Sequence, residues 1–378
     1  MPYLDNEMHE KDERVFFELL KAGLWERSAL LLPFETIHFE AVFKLALEQS
    51  VTGLIAAGLE NVVDMRPAQK DVMPFIGRAL HIEQKNQAMN RFIRELTEDL
   101  NKAGIKTLLV KGQGTAQCYE RPLLRSSGDV DFLLDAANYE KAKALLSPLA
   151  VSVEPEGEAS LHYGMTIDSW KVELHGSLRC GLDSRMDMVI DTIQHDTFEN
   201  GNVRVWKNDG IDILLPGVDN DIVFIFTHFL KHYYKGGIGL RQICDWCRLL
   251  WTNRGMIDVD LLEKRLRNMK LMSEWKCFAA FAVEWLGMPI EAMPLYSSSK
   301  IWIRKAGRIS RFIMEVGNFG QNRDMSYYSK YSYVVRKAIS LWRRTGDVCR
   351  HMFVFPLDSI RFLPNILFNG LRSAARGE

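Results

Sequence analysis

Residues 105–119 read Ile105-Lys106-Thr107-Leu108-Leu109-Val110-Lys111-Gly112-Gln113-Gly114-Thr115-Ala116-Gln117-Cys118-Tyr119, and residues 125–134 read Arg125-Ser126-Ser127-Gly128-Asp129-Val130-Asp131-Phe132-Leu133-Leu134. The first stretch has the pattern of a short β-strand, a glycine turn and the start of a helix. The second is a strand opened by Asp-x-Asp and followed by a helix over 138–146, where alanine and lysine occupy good helical positions. Two aspartates two residues apart on a strand share one face, so their carboxylates converge. Oxygen donors of this kind suit Mg²⁺ or Mn²⁺ completed by water and substrate phosphate. A glycine turn at a helix N-terminus offers backbone N–H groups to a phosphate. Asp129 follows Gly112 by 17 residues. Together the two elements describe a cation and triphosphate site, although each alone is a weak signal.

Outward from this pair, further strands are predicted at 161–167, 170–174, 203–206 and 211–215, giving a mixed α/β unit over 105–216. Before it, 1–104 reads as helical. Val15, Phe16, Leu19, Leu20 and Leu24 recur at helical spacing, and Phe39, Val42, Phe43, Leu45 and Ala46 do so after Pro33. A long helix over about 79–102 is expected to end before Gly104, a candidate C-cap. After the unit, helices are predicted over 222–234, 240–250, 261–268 and 274–286 within a helical region 217–378. The expected fold class is α+β: a mixed-sheet core with N-terminal and C-terminal helical segments.

The ordered combination of turn and Asp-x-Asp strand resembles the DNA polymerase β-type nucleotidyltransferase superfamily. Lys111-Gly112, Tyr119, Arg125 and Gly128-Asp129-Val130-Asp131-Phe132-Leu133-Leu134 are more narrowly similar to the bacterial uncharacterised nucleotidyltransferase family. In that family a KG turn precedes an R-x-x-x-D-[IV]-D-[LF]-L-[LV] strand, and the likeness runs from about residue 80 to 255. The resemblance implies a third carboxylate on a later strand. Glu173 fits it best, because Trp170-Lys171-Val172-Glu173-Leu174-His175 alternates and matches a [VI]-[DE]-[LI]-H pattern. Glu stands where Asp is commoner, and Asp168 is the competitor. His175 faces the same way as Glu173, as a nucleotide contact or as a structural histidine.

The implied activity is transfer of a nucleoside monophosphate from an NTP to an acceptor hydroxyl of a small molecule, sugar or peptide. Asp129, Asp131 and Glu173 would hold two divalent ions, Glu173 being also a candidate proton acceptor. Gly112, Gln113 and Gly114 would face the β- and γ-phosphates. Lys111 and Arg125 are candidate phosphate contacts, or else ordinary surface charges. The alternatives are an RNA- or protein-nucleotidylating enzyme like the toxins that resemble this superfamily, and a degenerate nucleotide-binding scaffold. The Gly-Gln-Gly turn, where Gly-Ser or Gly-Gly is usual, favours the scaffold mildly. Paired carboxylates repel, so replacing Asp129 and Asp131 is expected to leave the fold intact.

Composition limits the other classes. The 378 residues are 47% hydrophobic, enough for a sizeable core, and 48 Lys plus Arg balance 48 Asp plus Glu. Strong bulk binding of nucleic acid is therefore not expected. The opening MPYLDNEMHEKDERVFFELL is acidic where a secretory signal is basic, and cytoplasmic location is expected. Asp135 reads as a helix cap. Cys244 and Cys247 form a CxxC within an apolar helical pattern and read as core. His228 and His232 share a helix face, but Phe229 stands where a zinc-site HExxH motif has Glu. Arg241 and Asp245, an Arg-x-x-x-Asp on the next helix, are expected to brace the sheet or close over the nucleotide. Gly236, Gly237 and Gly239 read as an inter-helix turn. Residues 330–376 hold nine Lys or Arg against Asp347 and Asp358, interleaved with Trp342, Phe353, Phe355, Phe362 and Phe368. The default expectation there is helices packed on the core with a solvated basic face. An anionic membrane surface or a polyanionic acceptor are the other readings, and Pro356 and Pro364 are expected to interrupt any single long helix.

Overall fold

The computed structural model describes residues 2–154, 161–323, 326 and 330–375. Arg376 lies outside the described residues, as do the side chains of Lys337, Phe368 and Arg372. A five-stranded mixed sheet forms the centre, built from β1 (Leu108–Val110), β2 (Val130–Leu133), β3 (Ala150–Val153), β4 (His162–Ile167) and β5 (Trp170–His175) in the order β1-β2-β5-β4-β3. Only β2 and β5 run parallel, with Asp131 opposite Glu173 and Leu133 opposite His175; the other pairs are antiparallel. All four residues of β2 are buried, as befits a central strand covered on both faces. A hairpin of β6 (Val203–Asn208) and β7 (Ile211–Pro216) turns through Asp209-Gly210, both at positive φ, the backbone that a two-residue hairpin turn requires. Fold class is therefore α+β, as the strand and helix patterns predict.

The helices are α1 (Pro2–Trp25), α2 (Phe39–Glu48), α3 (Thr52–Glu60), α4 (Gln69–Lys102), α5 (Gly112–Ala116), α6 (Ala136–Leu146), α7 (Ser184–Phe198), α8 (Val218–Lys235), α9 (Leu240–Thr252), α10 (Val259–Met269), α11 (Met272–Glu284), α12 (Lys300–Val316), α13 (Tyr333–Met352) and α14 (Pro356–Ala375). Among the described residues no helix is long and apolar enough to cross a membrane. Asp135 caps α6, accepting the Asn138 backbone N–H at 2.8 Å. Gly104 follows α4 at φ 69°, the left-handed backbone of a C-cap glycine.

Two apolar clusters result. The larger joins α1–α3 to α8–α12 and to Phe355, Phe362 and Ile366 of the tail; the smaller lies between the sheet, α6 and the later half of α4. The helical region 1–104 thus contributes to both. Rings of Phe226, Phe229, Trp246, Trp275 and Phe278 stack edge-on or tilted in the larger cluster, and Cys244 and Cys247 are buried there. Gly58 sets the approach of α3 to α1: a Cβ there would lie 2.0 Å from the Leu19 carbonyl oxygen.

Several boundaries differ from expectation. The strand 150–153 and helices α3, α7 and α12 are additional elements. Pro364 does not interrupt α14. It is exposed, as a proline must be when its missing N–H is to cost little, while Phe362 and Ile366 beside it are buried.

Candidate active site

The site begins with a strained turn. After β1, Lys111 adopts φ 58° and Gly112 φ 46°, turning the chain into α5 beneath the sheet's end. In a helix, residues three apart share a face. Gly112 and Thr115 accordingly line the cavity, whereas Gln113 and Gly114 point inward. Gln113 donates through Nε2 to Asn86 Oδ1 at 2.8 Å, and a Cβ at Gly114 would meet the Leu215 side chain at 2.7 Å. The Gln113 side chain and the bare Cα of Gly114 thus pack α5 against α4 and β7.

Arg125 is buried rather than an ordinary surface charge. It borders the cavity, but its guanidinium is buried in a bidentate pair with Asp245 of α9, Nε to Oδ1 at 2.9 Å and Nη2 to Oδ2 at 2.7 Å. Tyr119 donates its hydroxyl to the same Asp245 at 2.8 Å. Arg241 of α9 donates to the Ser126 carbonyl at 3.0 Å, and from α4 Lys85 reaches Ser127 O at 3.1 Å and Asn86 reaches Arg125 O at 2.8 Å. Arg241 and Asp245 therefore brace the loop that delivers Asp129, and both also line the cavity.

Three carboxylates meet at the head of β2 and β5. Ligand oxygens of Asp129, Asp131 and Glu173 all lie within 4.8 Å of one another. Asp168, the competing third carboxylate, sits at φ 52° in the turn joining β4 to β5, at the far end of the hairpin. Around the triad two ammonium groups and two imidazoles are close. Lys111 Nζ lies 2.6 Å from Asp131 Oδ1, Lys171 Nζ lies 2.9 Å from Glu173 Oε1, His175 Nε2 lies 2.8 Å from Asp131 Oδ1 and His162 Nε2 lies 3.0 Å from Glu173 Oε2.

These neighbours separate the three acids. Burial would push Asp131 up, but the Lys111 ammonium and the His175 hydrogen bond hold it below the usual range. Burial acts on Glu173 in the same sense and is outweighed by hydrogen bonds from His162 and Lys171, so it too stays low. Asp129 is raised, by burial first and then by the charges of Asp131 and Glu173. A low Glu173 is a weak proton acceptor, which favours its use as a ligand over its use as a base. The donor set of carboxylate oxygens, with a buried acid destabilised by its own neighbours and an ammonium drawn in among them, fits a hard divalent cation.

The cavity over this floor measures about 590 Å³. Its opposite wall is α8, an amphipathic helix that sends Phe226, Phe229 and Tyr233 into the core and turns Phe224, His228, Lys231 and His232 to the cavity, together with Arg241 and Phe319. His228 and His232 hydrogen-bond to each other, Nε2 to Nε2 at 3.1 Å, and no third ligand converges with them among the described residues. Burial lowers the pKa of Lys231 and of both histidines, His232 to about 3. Gly236, Gly237 and Gly239 form the turn from α8 to α9, Gly237 abutting Gly320 and Gly239 abutting Asn318. The site residues that spacing did not reveal are His162, Lys171, Lys231 and Phe319. His162 could have been found from its alternation with Gly164 on a strand antiparallel to the one carrying His175.

A mixed sheet with carboxylates on its parallel central pair beside a glycine turn is the arrangement that the resemblance to the nucleotidyltransferase superfamily implies. Residues 35–287, two thirds of the chain, match the family of uncharacterised nucleotidyltransferases, and the chain belongs to that family. Among solved structures it is similar to an antigenic nucleotidyltransferase-like protein from Paracoccidioides brasiliensis, at 14% identity and a TM-score of 0.30 over 53% of this chain and 93% of that one. A score of that size is too low to assign residues. No curated protein matches the chain.

Proposed function

We propose that this nucleotidyltransferase moves a nucleoside monophosphate from an NTP to an acceptor hydroxyl, on a small molecule, sugar or peptide. The observation that carries the reading is the register: Asp131 and Glu173 stand directly opposite on β2 and β5 with Asp129 at the strand's mouth, in a cavity whose lining also holds Lys111, Lys231 and Arg241. Carboxylates together with lysine and arginine side chains are complementary to a cation-loaded polyphosphate. In the transfer the acceptor oxygen forms a bond to the α-phosphorus, the bond to the bridging oxygen breaks, and pyrophosphate leaves with that electron pair. The acceptor proton passes to solvent, directly or by way of Glu173. Asp129, Asp131 and Glu173 would hold Mg²⁺ or Mn²⁺, and two such ions would neutralise the triphosphate and acidify the acceptor hydroxyl. Lys111 is placed to exchange Asp131 for a phosphate oxygen, and Gly112 and Thr115 shape the floor.

Calorimetric titration of each NTP, with Mg²⁺ and with EDTA, tests this on the wild type and on Asp129→Asn. The expected result is cation-dependent binding of one or more NTPs that the variant loses. Equal binding in EDTA, or none in either condition, would overturn the reading. Binding without transfer to any acceptor would favour the nucleotide-binding scaffold.

A further inference from the structure

The face of the sheet beyond the carboxylate triad carries a second set of convergent donors. His162 opens β4 directly opposite His175 of β5, and their rings lie 4.9 Å apart between centroids. Glu173, two residues before His175, shares that face. Both imidazoles present Nε2 to the same carboxylate oxygen, Glu173 Oε2, at 3.0 Å from His162 and 3.6 Å from His175. Ligand atoms of His162, Glu173 and His175 all lie within 4.8 Å of one another. Gly164 stands opposite Glu173, and the Glu154 side chain lies over it and pairs with Lys171 at 3.2 Å.

The donor chemistry differs from that of the neighbouring triad. Two imidazole nitrogens and one carboxylate oxygen suit a borderline ion such as Zn²⁺, Co²⁺ or Ni²⁺, whereas Mg²⁺ prefers oxygen throughout. Three protein ligands also leave a coordination position open to water or substrate. Antiparallel strands hold the two histidines in register, so the donors are brought together by the fold rather than by mobile loops. We propose that His162, Glu173 and His175 form a second cation site, distinct from the Asp129/Asp131 site but joined to it through Glu173, which selects a borderline divalent ion over Mg²⁺. The Asp131 to His175 hydrogen bond at 2.8 Å then gives way on loading, because a ligating Nε2 carries no proton.

The test uses Co²⁺ and the full chain without nucleotide, so its outcome does not depend on whether the protein transfers nucleotides. Co²⁺ is titrated calorimetrically and by its visible absorption, with Mg²⁺ as competitor. One Co²⁺ per chain is expected, and excess Mg²⁺ should not displace it. The affinity should fall by at least about tenfold in His162→Gln and in His175→Gln, since losing a ligand costs no less than losing its support. Asp129→Asn should keep it. Circular dichroism of each variant establishes that the fold is retained, and His162, at the edge of its strand, serves if the His175 variant does not fold. Absence of Co²⁺ binding, Co²⁺ binding indifferent to His162→Gln, or binding abolished by Asp129→Asn would each overturn the proposal. In the last two cases His162 and His175 would be positioning residues for the carboxylates.

Discussion

Asp129 and Asp131 differ by one strand step, yet their surroundings make them opposites. Asp131 is 2% exposed and held low by Lys111 and His175, so its charge stabilises the folded state above the ordinary aspartate pKa and that stabilisation is lost as pH falls through the depressed value. Asp129 is raised by burial and by its acidic neighbours, so its contribution has the other sign: it is present when the group is protonated and lost as pH rises through the raised value. The two are therefore not interchangeable in their effect on stability. In cation-free protein near neutral pH, Asp129→Asn is expected to keep or raise the melting temperature. Asp131→Asn should lower stability by about 3 kcal/mol, because Lys111 loses its close counter-charge. Thermal melts in EDTA check both, and equal shifts for the two variants would contradict the assignment. Both acids were legible in the sequence because Asp-x-Asp on a strand is a local pattern. Their inequality was not, since it depends on a lysine 20 residues earlier and a histidine 44 residues later.

Elements were legible where periodicity was local and strong. The β4–β5 and β6–β7 hairpins follow from alternation and turn residues, and α8 and α9 from their apolar stripes. By contrast α7 carries a readable signal, with Asp183 as cap and Met186, Ile190 and Ile193 at helical spacing, that is diluted by its many polar residues. Pairing between elements distant in sequence was the least accessible. Arg125 looks like a phosphate ligand beside an Asp-x-Asp strand, and only the fold shows Asp245, 120 residues away, already holding it. That pair ties α9 to the loop preceding Asp129. Asp245→Asn keeps the shape but leaves a buried guanidinium without its counter-charge, a change that costs about 3–5 kcal/mol. Urea unfolding should show a midpoint lowered by a corresponding amount. A loss below about 1 kcal/mol, the usual ceiling for an exposed pair, would mean that water reaches Arg125.

Across the whole molecule the tail packs against the core-facing side of α8, behind the wall that this helix presents to the cavity. From α13, His351 packs its ring against Tyr233 and Tyr234 of α8 and Phe312 of α12, at centroid distances of 4.2, 5.2 and 4.7 Å. The ring is 1% exposed and its Nε2 has no hydrogen-bond partner. Burial accordingly lowers its pKa from an ordinary value of 6.5 to about 3. The sign of the linkage follows. Between pH 6.5 and about 3 the unfolded chain takes up a proton here that the folded chain refuses, so stability falls as pH falls through that window. His232 behaves alike, while raised acids such as Asp221 and Glu274 act in the opposite direction, so the total slope does not isolate one group. Comparison with His351→Phe does, because phenylalanine fills the same aromatic nest and cannot titrate. Measured by urea unfolding between pH 7 and 4, the wild type should lose stability relative to the variant by up to about 1.4 kcal/mol per pH unit below 6.5. Parallel stability curves would mean that His351 takes up its proton without unfolding. The tail would then be hydrated where it meets α8, and the cavity wall would not depend on a dry seam with it.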